Sequence, residues 1–347
     1  MGAGGTDGSR PADRAARLRL VGAALAGDRL SLARLLTAIE NRTPLAEAAM
    51  RRLYPLAGKA HIVGITGPPG SGKSTLVAAL TGQLRGRGRS VAVIAVDPSS
   101  PITGGALLGD RVRMQAHAGD DDVFIRSMAS RGHAGGLAST TATAAAVLDA
   151  VGFDLVFIET VGTGQSEVEV AAAADTTVVL EAPEMGDEVQ AIKAGLLEVA
   201  DLVVVNKGDR PGAQRTASQL RAMLVAVPKV GSGSPAGVGP AAERPAPKRP
   251  EVLVTTAATG DGVPQLLDAL DRHRARGAGP SDSSRLTRAE AQVWAIVGER
   301  LRRRLHDGAN EARTRDTLEA VAAHRLDPYA AADELLSRLV PDDGTAR

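Results

Sequence analysis

The stretch Gly67-Pro68-Pro69-Gly70-Ser71-Gly72-Lys73-Ser74-Thr75 concentrates groups that suit one kind of ligand. Gly67, Gly72, Lys73 and Ser74 fit the spacing G-x-x-x-x-G-K-[ST]. Glycines let successive backbone N–H groups turn inward around phosphate oxygens. A helix N-terminus at Lys73 adds positive potential. The Lys73 ammonium suits the β- and γ-phosphates of a nucleotide, and the Ser74 hydroxyl suits Mg²⁺. A glycine-rich turn that only caps a helix is the alternative. The preceding apolar run "HIVGITG" and the following amphipathic "KSTLVAALTGQLRGRG" supply the strand–loop–helix context that favours the phosphate reading.

A second motif speaks to the base. "VVVNKGD" carries Asn206, Lys207 and Asp209 as N-K-x-D at the end of an apolar run. It resembles the guanine-recognition motif of GTPases. A carboxylate placed edge-on accepts hydrogen bonds from guanine N1–H and its 2-amino group, which adenine does not offer there. Charge-assisted hydrogen bonds contribute about 1.5–3 kcal/mol each, so their loss is worth on the order of a hundredfold in affinity. An ordinary strand-to-helix turn is the alternative. Thr256 and Ala257 in "TTAATGDG" stand where GTPases place the loop that backs the base.

Between the two motifs lie carboxylates suited to a metal. Asp97 ends the run "SVAVIAVD", and Asp110 follows a glycine-rich stretch. Both suit Mg²⁺, directly or through water. A turn-forming Asp-Pro at Asp97 and a helix N-cap at Asp110 are the alternatives. Glu159 closes the apolar run "DLVFIE". A buried carboxylate there needs a cationic or hydrogen-bonding companion. A hydrated Mg²⁺ is one, and an arginine is the other. "ETVG" also reads as D-x-x-G with Glu for Asp, and Gly162 then offers its N–H to a γ-phosphate. Thr163 stands where Ras-type GTPases carry a catalytic glutamine, and the nearest glutamine is Gln165. The water-positioning residue is either displaced to Gln165 or absent, which predicts slow intrinsic hydrolysis that a partner accelerates.

These residues need a scaffold, and the rest of the chain supplies one. Seven apolar strand-like runs alternate with helical patterns, which predicts a mainly parallel central sheet flanked by helices, an α/β architecture. Residues 1–13 read as a polar, disordered tail. Residues 14–58 read as two helices with a turn at Gly27-Asp28. Residues 59–276 read as the nucleotide-binding domain, with a Gly/Pro/Ser-rich insertion at 229–250. Residues 277–347 read as a helical arm. Of 347 residues, 44% are hydrophobic but only 2% aromatic, so the core must be aliphatic. The net charge of +1 gives no footprint for nucleic acid. The absence of cysteine excludes disulfides, thiolate metal sites and cysteine nucleophiles. No apolar signal core opens the chain and no stretch reaches the roughly 20 apolar residues of a membrane span. The reading is a soluble cytoplasmic protein without a membrane partner.

"GPPGSGKST", "AVDPSS", "LGDRVRM", "SRGHAGGLA", "ETVGTGQSE", "GDEVQAIKAG" and "NKGD" occur in that order. Together they resemble the MeaB/ArgK family, the methylmalonyl-CoA mutase-associated GTPases of the SIMIBI class of P-loop NTPases. The resemblance runs over nearly the whole chain. It implies a homodimer joined through the C-terminal helical arm. It also implies binding to an adenosylcobalamin-dependent acyl-CoA mutase, with GTP hydrolysis to GDP coupled to cofactor loading and protection. Lys73 and Ser74 would serve phosphate and Mg²⁺, with Asp97, Asp110 and Glu159 completing the metal environment. Asn206, Lys207 and Asp209 would hold guanine, and residues 184–193 would form a further switch toward the mutase. Gly208 stands where relatives commonly have alanine, which reads as a harmless change. The insertion at 229–250 has no counterpart in that pattern.

Other classes compete. A nickel-delivery metallochaperone GTPase shares the switch layout, but the missing cysteines and six scattered histidines speak against it. A P-loop kinase or transport-linked ATPase has no use for N-K-x-D. A nucleotide-gated scaffold with incidental turnover fits the displaced glutamine.

Overall fold

The computed structural model of the chain describes residues 11–98, 117, 119–130, 136–160, 170, 172–183, 199–226, 250–278, 282–306 and 311–337. Two compact units emerge, one extending to Arg285 and one starting at Leu286.

The first unit begins with α1 (Pro11–Leu25), α2 (Arg29–Glu40) and α3 (Pro44–Leu53). The sequence reading placed two helices here; the chain makes three. Asp28 caps α2 by accepting from Leu30 N–H at 3.2 Å. The additional break falls at Thr43, whose extended backbone (φ −78°, ψ 161°) is what a residue before proline prefers. Pro44 then opens α3, where its missing N–H costs nothing.

The sheet is built from β1 (His61–Thr66), β2 (Val91–Pro98), β3 (Val123–Ser130), β4 (Leu155–Thr160), β5 (Thr176–Glu181), β6 (Leu202–Val205) and β7 (Glu251–Val254). These strands form one sheet in the order β3-β2-β4-β1-β5-β6-β7, every neighbouring pair parallel. The parallel α/β expectation holds. β4 and β5 are buried along their whole length, as continuous apolar runs in a sheet covered on both faces should be. α4 (Lys73–Gly86), α5 (Gly136–Val151), α6 (Ala213–Ala226) and α7 (Val263–His273) complete the described layers. α4 and α7 cover one face, where Leu76, Leu80 and Leu266 pack on Val63, Ile65 and Phe157. On the other face α1, α2, α3 and α5 cover β2 and β4, with Leu35, Leu36 and Leu148 on Ile94 and Ile158. α6 packs on β6 and β7 through Ala213, Ala217 and Leu220.

β3 is an edge strand, and α2 covers its open side with side chains. Arg29 donates to the carbonyl oxygens of Asp121 (2.8 Å) and Val123 (2.6 Å), and its guanidinium lies 5.6 Å from the Phe124 ring centroid. At the other end of α2, Glu40 Oε1 accepts from Ala129 N–H at 3.1 Å and Oε2 from Arg126 Nη2 at 2.9 Å.

The second unit holds α8 (Asp282–Leu305, which starts in the first unit), α9 (Glu311–Ala322) and α10 (Pro328–Ser337). Leu286, Val293 and Trp294 of α8 are exposed. Among the described residues no helix is long and apolar enough to cross a membrane.

Candidate nucleotide site

β1 sits where the strand order reverses, between β4 and β5. In open parallel sheets ligands bind beyond the carboxyl ends of the strands at such a point. The loop from Gly67 to Gly72 leaves β1 there and opens α4. Gly67 has φ 137°, and a Cβ on it would collide with the Leu180 carbonyl oxygen of β5. Gly72 has φ 94°, and a Cβ on it would strike Asn206 Nδ2. Both glycines are required by backbone conformation and by space.

Lys73 and Ser74 are buried at the first turn of α4. Lys73 Nζ donates to the carbonyl oxygens of Gly67 (2.8 Å) and Pro68 (3.0 Å), so the ammonium lies over its own loop. Ser74 Oγ donates to Glu159 Oε1 at 2.6 Å. This short contact to a carboxylate is charge-assisted. Glu159 is 3% exposed and lies level with Ile65 of β1 in the ladder. The strand bearing Glu159 is therefore the direct neighbour of the phosphate-loop strand. The companion of Glu159 includes a serine hydroxyl at a helix N-terminus, whose dipole favours the negative charge. A hydroxyl beside a carboxylate is an oxygen donor set that fits a hard ion such as Mg²⁺, which typically takes one or two carboxylates and completes its shell with phosphate and water.

The N-K-G-D segment follows β6, two strands from β1. Asn206 spans that gap. Its Nδ2 donates to the Ser71 carbonyl oxygen at 2.9 Å, while its Oδ1 accepts from Thr255 Oγ1 and Ala257 N–H, both at 3.1 Å. Lys207, at φ 58°, donates from Nζ to the Gly70 carbonyl oxygen at 2.6 Å. Asn206 is thus fully buried in protein contacts, and Asp209 is the member of the motif that is exposed. Thr256 and Ala257 lie in the turn after β7, closed by Thr256 N–H to Asp261 carbonyl at 2.8 Å. The structure brings Lys73, Ser74, Glu159, Asn206, Lys207 and the 256–257 turn to one end of the sheet.

Gly208 is closely packed in this chain. A Cβ there would lie 2.8 Å from Val254 Cγ1 and 3.2 Å from the Thr255 carbonyl oxygen. Alanine at this position requires β-branched Val254 to move, so glycine is not an indifferent choice.

Asp97 is placed by its backbone at the end of β2, level with Ala129. Asp110, Gly162, Thr163, Gln165, residues 184–193 and the insertion to residue 249 lie outside the described residues. Sequence reasoning missed two groups beside the site. One is the Ser71 carbonyl, which anchors Asn206. The other is the hydroxyl pair Thr66–Thr160, whose oxygens are 3.2 Å apart. A threonine closing each of two neighbouring strands was the available signal.

The profile of the family described as "Methylmalonyl Co-A mutase-associated GTPase MeaB" matches residues 32–310. The chain belongs to the MeaB family. This makes it a GTPase, as the resemblance of its motifs implied. A protein of Pyrococcus horikoshii named as a GTPase is 44% identical over 320 residues, covering 90% of this chain and 95% of that one. The mouse mitochondrial methylmalonic aciduria type A homolog is 32% identical over 297 residues, covering 81% of this MeaB-family chain and 69% of the mouse protein. The crystal structure of a LAO/AO transport system kinase superposes with TM-score 0.63 at 26% identity, covering 95% of this chain and 99% of that one.

Proposed function

We propose that this MeaB-family GTPase binds GTP with Mg²⁺ and hydrolyses it slowly. It uses the cycle to help an adenosylcobalamin-dependent acyl-CoA mutase, of the methylmalonyl-CoA type, to load and protect its cofactor. The observation that carries the nucleotide part is the Asn206 bridge. It ties the phosphate loop to the segment bearing Asp209, so that the two motifs are held at one end of the sheet. The mutase part is supported by the family's description and by the name of the mouse relative.

In this reading the N–H groups of residues 67–74 surround the phosphates, and Lys73 exchanges its carbonyl partners for phosphate oxygens. Ser74, Glu159, Asp97 and Asp110 hold Mg²⁺, which when bound neutralises charge on the β- and γ-phosphates. Gly162 faces the γ-phosphate, and Gln165 is the nearest side chain able to orient water. Asp209 reads the guanine edge, with Thr256 and Ala257 behind the base. The protein is cytoplasmic and dimerises through its C-terminal helices. The exposure of Leu286, Val293 and Trp294 along α8 supports that last point.

The test is direct. GTP should bind at least about tenfold tighter than ATP, as expected if two charge-assisted hydrogen bonds separate them. Turnover should rise when the cognate mutase is added. Equal affinities would remove the guanine assignment, and unchanged turnover across acyl-CoA mutases would remove the mutase assignment.

A further inference from the structure

β1 and β4 pair from His61–Leu155 to Ile65–Glu159 and no further. The next residues in that register are Thr66 and Thr160, the last of each strand. On their outer edges both still pair, Thr66 with Val179 of β5 and Thr160 with Val96 of β2. Between the two strands Thr160 Oγ1 donates to Thr66 Oγ1 at 3.2 Å, with both residues essentially inaccessible to solvent. Side chains alternate across a strand. The hydroxyl pair thus lies on the sheet face opposite Glu159, whose carboxylate takes the Ser74 hydroxyl on the α4 side.

We infer that Thr160 and Thr66 are positioning residues for GTP hydrolysis. Gly67, the first residue of the phosphate loop, follows Thr66 directly, and Gly162 lies two residues beyond Thr160. The hydroxyl bond fixes the spacing of these two strand ends, and so how the chain after Thr160 meets the phosphates. The inference rests on the proposed reading that Gly162 faces the γ-phosphate. A misplacement of about 1 Å at a reacting centre can cost on the order of a hundredfold in rate. A hydroxyl bond acting through two main chains should have a smaller effect. Ground-state binding, carried by the loop and by Asp209, should be spared.

The experiment compares the full-length wild type with Thr160→Val, Thr66→Val, the double variant and Thr160→Ser. Steady-state kcat and KM for GTP and the affinity for GDP are measured. Valine preserves the branched shape and removes only the hydroxyl. Each valine variant should lose about tenfold in kcat, with KM and GDP affinity within about twofold, as for loss of an interaction used only in the transition state. The double variant should be no worse than either single one, because both remove the same bond. Thr160→Ser should restore kcat. An unchanged kcat in Thr160→Val, additive losses in the double variant, or a serine variant as slow as the valine one would each overturn the inference. If Thr160→Val does not fold, Thr66→Val and Thr160→Ser give the same comparison. A wild type that does not turn over GTP would overturn the functional reading and this inference with it. A normal wild type beside an unaffected Thr160→Val overturns this inference alone.

Discussion

Asn206 Nδ2 donates to the carbonyl oxygen of Ser71 at 2.9 Å, across 135 residues of sequence. The same side chain holds Thr255 and Ala257 through its Oδ1. Asn206 is 2% exposed, so removing it strands a buried carbonyl and two donors. Each such loss costs about 1–3 kcal/mol. Asn206→Ala should therefore weaken GTP and GDP alike, by about tenfold or more, and lower the melting temperature. Titration calorimetry with both nucleotides checks this. A loss confined to GTP would show that Asn206 acts on the γ-phosphate side instead.

Asp209 differs from Asn206 in being exposed after its turn. Asp209→Asn should lower GTP affinity by about a hundredfold, from lost charge-assisted bonds. It should raise affinity for xanthosine triphosphate, whose 2-oxo group can accept from the new amide. Competition binding with the two triphosphates reads the switch directly, and an intact guanine preference would free Asp209 of that role.

Glu159→Gln keeps the shape of the side chain and removes its charge. The contact from Ser74 Oγ, 2.6 Å in the native protein, loses its charge assistance. Hydrolysis should fall at least about tenfold, and the Mg²⁺ concentration for half-maximal activity should rise. Chelating Mg²⁺ from the wild type should stop turnover. Equal Mg²⁺ dependence in the two proteins would return Glu159 to a purely structural role.

His61 gives a pH dependence far from the nucleotide. It opens β1 at the amino end of the sheet, with Nε2 2.7 Å from Thr176 Oγ1. Thr176 Oγ1 in turn lies 2.8 Å from His273 Nδ1. Burial pushes the His61 pKa down from 6.5 to about 4, against an opposing pull from Asp175. The folded protein thus resists a proton that the unfolded chain accepts. This contribution is intact above about pH 6.5, falls away as the pH drops toward 4, and is worth about 3 kcal/mol in all. Urea denaturation of wild type and His61→Asn at pH 7 and pH 5 should show a smaller pH effect in the variant.

Much of this was legible in the sequence for a physical reason. Runs such as Leu155–Ile158 are apolar without alternation, which only a strand covered on both faces tolerates. The glycines of the phosphate loop announced backbone shapes that other residues avoid. Contacts between distant segments were not legible. Nothing in "NKGD" says that its asparagine is occupied by Ser71, because that depends on β5 lying between β1 and β6. The space at Gly208 depends on Val254, far along the chain on β7, and is invisible to motif matching. The break at Thr43-Pro44 was readable from the proline, but the helical spacing on either side concealed it.

The cover that α2 places over β3 bears on the order in which the chain is made. Arg29 and Glu40 are synthesised 94 and 89 residues before their main-chain partners at Val123 and Ala129. At ribosomal speed that is a lead of roughly several seconds. An uncovered parallel edge is a template for pairing with a neighbouring chain. Here the strand emerges after its guard, so the residues that cover this edge already exist when the edge is made.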